Sequence, residues 1–255
     1  MTIWNDRTHS LGKQGKARNL RMKKDGTKVS QEYAKRFENG DYAERYDSAF
    51  RFDSLSDLLR PRNITGWMIA ELEKSAVERL LSHYRGCSIL DAPCGSGKLF
   101  PRLIEQRHTI IGIDISKEML TRIPRTEMEK SQLIRGDLRK IPLANESVDV
   151  VICVRFIHRI PEQDHGEVLR EIYRVCKNNA IIYFSIRDIT TNYIVAFEKF
   201  LKLGDRGDVI SLSKSEIEKE IASAGFKLER MTRVLPFLST GCMIIGRKGE
   251  RIEGN

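Results

Sequence analysis

Nine consecutive residues, Ile89 to Gly97, read I-L-D-A-P-C-G-S-G and combine a carboxylate with two glycines. The apolar run Cys87 to Leu90 precedes the acid, and an amphipathic stretch opens at Lys98. A strand that breaks into a glycine-containing turn before a helix is where open α/β sheets bind nucleotide-like ligands. A phosphate-binding loop would need G-x-x-x-x-G-K-[ST]. Gly97-Lys98 fits, but Ala92 stands in place of the first glycine and Leu99 in place of the magnesium-binding hydroxyl. A dinucleotide fingerprint, G-x-G-x-x-G, is met by Gly95 and Gly97, with Phe100 at the third position. Asp91, just before the turn, would repel a pyrophosphate, because an anion at a helix start seeks donors.

A cationic ligand without phosphate turns that carboxylate into an attraction. Here the chain resembles the class I S-adenosylmethionine-dependent methyltransferases, whose first motif is close to D-x-G-x-G-x-G. Asp91, Gly95 and Gly97 match it, and Pro93 replaces the first glycine, which stiffens the turn and removes a donor. The resemblance continues in register through T-I-I-G-I-D-I-S, ending at Asp114, through R-G-D-L, with Asp137 and Leu138, and through S-V-D-V-V-I-C-V-R-F-I-H-R-I-P. It covers residues 88 to 186 well and 213 to 248 more loosely.

The resemblance implies a Rossmann-like, mostly parallel seven-stranded sheet with helices on both faces and a C-terminal antiparallel hairpin. It implies S-adenosylmethionine as cofactor. Asp91, Ala92, Pro93, Gly95 and Gly97 would surround its cationic amino-acid end, and Asp114 would grip the ribose hydroxyls. Ile115 and Met119 would lie against the adenine, Asp137 and Leu138 near its edge, and the loop from Val154 would face the sulfonium. Plainer roles exist for some of these: Asp114 as a helix-starting carboxylate, Asp137 as a turn acid. His158 is the candidate catalytic residue, an imidazole that titrates near neutrality and could take a proton from an acceptor hydroxyl. The alternative is that it packs beneath the loop. Arg155 and Arg159 flank it and suit an anionic substrate or simple solvation, and Arg187 and Asp188 share that ambiguity.

The elements that must position these groups alternate along the chain. Strand-like runs at Ser88–Leu90, Thr109–Ile113, Gln132–Arg135, Val148–Val154 and Ala180–Ile186 are separated mostly by helical patterns at Lys98–Gln106, Lys117–Ile123 and Glu162–Cys176. Such alternation predicts right-handed crossovers and a parallel sheet covered on both faces. Ser116 is placed to cap a helix. Upstream, Asn63 is a cap candidate for a helix whose Ile64, Met68, Leu72, Ala76 and Leu80 repeat every four residues, widened by Trp67, Val77 and Leu81, with Arg85-Gly86 as its stop. Downstream, Tyr193, Phe197, Phe200 and Leu201 predict an amphipathic helix before a G-D-R-G-D loop. Ser213 to Glu216 is a capping-box pattern for a helix ending at Gly225, and Phe226–Leu235 and Gly241–Lys248 predict a hairpin.

At 255 residues, 40% hydrophobic and 31% charged, the chain suits a soluble domain with additions. No apolar run approaches the roughly 20 residues that span a bilayer. The start M-T-I-W-N-D-R-T-H-S has no signal-peptide pattern, and the five cysteines lack a C-x-x-C pair, so a cytoplasmic, reduced and metal-free protein is expected. The net charge of +9 is concentrated in the first thirty residues. Residues 1–30 read as a basic, disordered tail of a kind that contacts nucleic acid or an anionic membrane. Residues 31–86 read as a helical lid and first helix, with Tyr33 and Phe37, and Tyr42 and Tyr46, four apart. Residues 87–248 read as the cofactor-binding domain, with a second lid at 190–211.

The fourth strand lacks the N-P-P-Y type sequence and the P-C pair of resembling families that methylate bases or glutamine amides, so the resemblance implies a small-molecule or lipid-like acceptor with an O or N nucleophile. Two alternatives are an RNA methyltransferase that uses the basic tail, and a non-catalytic S-adenosylmethionine-binding regulator. The sequence sets neither the acceptor nor the oligomeric state.

Overall fold

The computed structural model describes residues 61–200, 209–235 and 240–249, the side chains of 61–66 and 197–199 excepted. The predicted tail at 1–30, the aromatic pairs at 31–60, and the G-D-R-G-D loop lie outside the described residues. Among the described residues no helix is long and apolar enough to cross a membrane.

Period-two alternation of apolar side chains builds the sheet. Strands β1 (Ser88–Asp91), β2 (Thr109–Asp114), β3 (Ser131–Arg135), β4 (Val148–Cys153) and β5 (Cys176–Ile186) are parallel in the order β3-β2-β1-β4-β5. A two-residue strand, β6 (Ser211–Leu212), pairs parallel with the end of β5. It comes from the end of the predicted 190–211 lid, and it adds an eighth strand to the expected seven. Strands β7 (Phe226–Arg233) and β8 (Gly241–Lys248) form the expected antiparallel hairpin, and β8 joins β5.

Two apolar layers follow from the alternation. Ile89, Ile110, Val150, Ile152 and Ile181 face helices α1 (Pro61–Leu81), α2 (Phe100–Glu105) and α3 (Lys117–Thr121), through Val77, Leu81, Phe100, Leu103 and Leu120. A short helix, α4 (Arg125–Met128), adds Met128 to this side. Leu90, Ile113, Val151, Cys153, Ile182 and Phe184 face α5 (Glu162–Val175) and, after the outlying α6 (Ile189–Phe200), α7 (Lys214–Ser223). Each fully buried Ile, Leu or Phe contributes roughly 1.5–3 kcal/mol, so both layers must be intact for the sheet to be held.

Several helix ends are set as the sequence predicts. Ser116 Oγ accepts from Met119 N at 3.2 Å at the start of α3. Ser213 and Glu216 form the reciprocal capping box of α7, and Gly225 follows it at φ +98°. Two boundaries differ. Helix α1 begins at Pro61, so Asn63 lies inside it and is not its cap; proline at a first helical turn loses no intrahelical bond. Strand β5 begins at Cys176 where helix was predicted, because pairing with β4 extends to Val148 despite the polar Lys177-Asn178-Asn179. In α6, Tyr193 is 74% and Phe200 81% exposed, so these two aromatics face outward while Ile194 is buried.

Candidate active site

The reversal of strand order falls between β1 and β4, and in open α/β sheets ligands bind beyond the strand ends at that switch point. Asp91 ends β1, in register with Gly112 on one side and Ile152 on the other. The chain then turns over the sheet edge: Ala92 N donates to Ile152 O and Cys94 N to Ile113 O, both at 2.9 Å. Pro93 therefore sits between two residues whose N–H groups carry the contacts to β4 and β2, and its missing donor is not needed there. The Ala92–Pro93 peptide is cis. Gly95 (φ +55°) and Gly97 (φ +70°) occupy the left-handed region, and a Cβ on Gly97 would press on Ile123 and Phe100 at 3.2–3.3 Å.

Asp114, at the end of β2, accepts from Gly95 N and from Ser116 N at 2.9 Å each. Burial raises its pKa, opposed by backbone N–H donors from Ser116, Gly95 and Ile115. Each carboxylate oxygen retains a lone pair for a further donor. Gly136 N bonds Asp114 O at 3.0 Å, which draws the β3 end, with Asp137 and Leu138, to the same edge. Asp137 is chelated by Arg139 Nε at 3.0 and 3.1 Å; burial pushes its pKa up, but these bonds outweigh it and hold the carboxyl below its usual range. Leu138 is buried. Ile115 accepts from Arg135 through its carbonyl, and Met119 packs under the turn, its Cε 3.4 Å from where a Cβ of Gly95 would lie.

A cleft open to solvent lies over the switch point. Ala70, Glu73, Lys74 and Val77 of α1 form one wall; Asp91, Pro93 and Cys94 the floor; Lys98, Leu99, Val154 and Arg155 complete it. Asp91 is 3% exposed and has no hydrogen-bond partner for its carboxylate among the described residues. Burial, then the Asp114 charge, raise its pKa well above the usual range. A buried carboxylate without a donor is costly, and a cation in the cleft would offset that cost. The floor of the cleft thus fits a ligand with an ammonium end.

Beyond β4, a buried polar network stands beside the cleft. Arg155, at φ +60°, donates from Nε to Glu73 of α1. Glu73 is 4% exposed and is also bonded to Tyr183 of β5; burial raises its pKa, while Arg155, Tyr183 and Arg159 oppose the rise. A Cβ on Gly241 would collide with the Tyr183 hydroxyl, so glycine in β8 makes room for it. His158, in a 3-10 turn (Ile157–Arg159), tilts against Tyr183 at 4.9 Å between ring centroids. Its Nδ1 is buried with no partner among the described residues. Burial, then Arg159 and Arg155, push its pKa well below its ordinary value. This corrects the expectation that it titrates near neutrality: the imidazole is held neutral.

The structure brings the predicted positions to one edge of the sheet and places Asp91, Pro93 and Val154 on the cleft itself. Two other candidates have structural partners: Arg187 pairs with Glu216, and Asp188 accepts from Thr191 N at the start of α6. Sequence reasoning missed Glu73 and Tyr183. Glu73 carried a signal, since it lies four and eight residues before the buried Val77 and Leu81, a charge on a core-facing stripe.

The switch-point cleft and its acid-bearing turn define an open α/β ligand-binding domain. Residues 90–184 match the methyltransferase domain family. Glycine/sarcosine N-methyltransferase of Parasynechococcus marenigrum is 32% identical over 125 residues, 47% of this chain and 44% of that one. Malonyl-[acyl-carrier protein] O-methyltransferase of Pectobacterium atrosepticum is 29% identical over 122 residues, 46% of each chain. The chain thus spans about half the length of the curated relatives it matches. Magnesium protoporphyrin IX methyltransferase from Synechocystis PCC 6803, solved with bound S-adenosylhomocysteine, shares the fold at a TM-score of 0.69 and 16% identity, covering 88% of this chain and 100% of that one. Residues 90–184 thus form a methyltransferase-family domain, set in a Rossmann-like sheet.

Proposed function

We propose that the protein binds S-adenosylmethionine in the switch-point cleft and transfers its methyl group to an O or N nucleophile of a small-molecule acceptor. The observation that carries this reading is Asp91: a buried carboxylate on the cleft floor without a donor of its own, suited to the ammonium of the cofactor. When bound, S-adenosylmethionine supplies a methyl group activated on a sulfonium.

The chain's own residues orient and shield. Gly95 and Gly97 let the backbone approach the ligand, and Asp114 has lone pairs for the ribose hydroxyls. Ile115, Met119, Asp137 and Leu138 would hold the adenine, and Val154 would face the reacting sulfur. Orientation and exclusion of water are the main contributions such a site makes. His158 takes the proton that the acceptor loses. A neutral imidazole of low pKa is a weak base, but an oxygen that has gained a methyl group is a strong acid and gives up its proton readily, whereas a methylated amine is a weak acid and would lose its proton to solvent.

The two curated relatives are named for an N- and an O-methyl transfer, so they support both nucleophiles. The test is a screen of small-molecule amines, hydroxyl compounds and carboxylates that follows S-adenosylhomocysteine release. At least one acceptor class should be turned over by the wild type and not by Asp91→Asn. Turnover of transfer RNA, but of no small molecule, would overturn the acceptor assignment.

A further inference from the structure

Two guanidiniums bracket His158, and one described carboxylate beside them is already engaged. Arg155 lines the cleft and is tied to Glu73. Arg159, four residues on, is near enough to Glu73 and His158 to lower the pKa of both. Yet Arg159 Nε is buried and has no acceptor among the described residues. A buried guanidinium N–H ordinarily finds an oxygen, and the planar fork of arginine matches the two oxygens of a carboxylate. The cleft also carries Asp91, at the end of the neighbouring strand β1, together with Lys74 of α1 and Lys98. A carboxylate thus stands after β1, and two guanidiniums follow β4, Arg155 on the cleft wall and Arg159 four residues beyond it.

We propose that the acceptor carries a carboxylate, and that Arg159 binds this group while Arg155, fixed by Glu73, supports the same wall. Arg159 is then a specificity-determining residue of the site. The assignment rests on the methyltransferase reading of the cleft. It makes no demand on His158 beyond remaining neutral, because an imidazolium beside two guanidiniums would be disfavoured until an anion arrived.

The test uses the full chain saturated with S-adenosylhomocysteine, whose binding is first measured by calorimetry. Sodium benzoate, benzamide and inorganic phosphate are then titrated at constant ionic strength while the His158 ring signals are followed by NMR. Benzoate should shift those signals saturably, and benzamide and phosphate should not. Arg159→Gln should weaken benzoate roughly tenfold or more, the size expected from losing charge-assisted hydrogen bonds, with S-adenosylhomocysteine affinity unchanged. Arg159→Lys should retain an intermediate affinity, and it decides the matter should the glutamine variant fail to fold. Equal effects of benzoate and benzamide, preference for phosphate, or wild-type benzoate binding by the Arg159 variants would overturn the proposal. Failure of S-adenosylhomocysteine to bind would instead overturn the cofactor reading.

Discussion

Asp114 accepts the backbone N–H of Gly95 at 2.9 Å, so the acid that ends β2 also holds the turn that follows β1. Its second oxygen takes Ser116 N at the same distance. One carboxylate thus fixes the glycine turn and the start of helix α3, and under the proposed function its remaining lone pairs would take the ribose hydroxyls. Asp114→Ala should lower S-adenosylhomocysteine affinity roughly tenfold or more, about 1.5–3 kcal/mol for hydrogen bonds to a charged group. Calorimetry checks this, and unchanged affinity would show the ribose to lie elsewhere.

Glycine substitutions should separate backbone strain from crowding. A Cβ at Gly112, in the middle of β2, would lie 2.6 Å from Phe100 Cζ and 2.9 Å from Cys94 Sγ, whereas one at Gly95 would meet Met119 Cε at 3.4 Å. Gly112→Ala should therefore cost about 1–3 kcal/mol by overpacking, and Gly95→Ala only the left-handed penalty of about 1–2 kcal/mol. Urea unfolding of the two variants should rank Gly112→Ala as the less stable.

The Glu73–Arg155 pair crosses from α1 to the loop after β4, both partners being largely buried. Removing one partner leaves the other charged and uncompensated. Glu73→Ala should destabilise by about 2–4 kcal/mol, at the lower side of buried-pair losses because Arg155 keeps some exposure. Glu73→Gln, which keeps an acceptor for Arg155, should cost less. Thermal unfolding measures both, and equal, small losses would show that the pair does not secure α1.

His158 gives stability a pH dependence of defined sign. Its folded pKa lies well below its unfolded value of about 6.5, so the unfolded state binds a proton over the interval between them. The His158 contribution is present above about pH 6.5 and is lost as pH falls toward the folded pKa. His158→Gln should flatten the stability profile below pH 6.5. The same depression predicts that kcat/KM shows no inflection from this residue between pH 6 and 8; an inflection near 6.5 that disappears in His158→Gln would contradict the neutral imidazole.

Much of the fold was legible because its signals are local. Alternation in Val148–Cys153, glycines after Asp91 and the Ser213–Glu216 box each dictate structure within a few residues. Likewise Asp91, Asp114 and Asp137 each end a strand or follow one closely, so the site could be laid out in chain order. What was not legible depends on distant partners. Nothing near Tyr183 announces its bond to Glu73, which forms only once α1 lies across β4 and β5. The polar Lys177-Asn178-Asn179 reads as a loop until β4 supplies a pairing edge. His158 was recognisable as chemistry-bearing, but the depression of its pKa arises from burial and two arginines that only the folded loop brings together.

Asp91→Asn should show opposite effects on stability and binding. Without ligand, the carboxylate's raised pKa means that stability falls as pH rises from about 4 through the folded value, since the unfolded state releases its proton first. Asparagine removes that cost, so the ligand-free variant should be more stable at neutral pH by about 1 kcal/mol, roughly 2–4 °C in Tm.

Calorimetric titration of the wild type and Asp91→Asn with S-adenosylmethionine tests the central claim most directly. The wild type should bind one equivalent and the variant should bind at least roughly tenfold more weakly, as expected for the loss of a buried charge-assisted contact. Absence of binding to the wild type, or equal binding by both proteins, would contradict the assignment of the cleft.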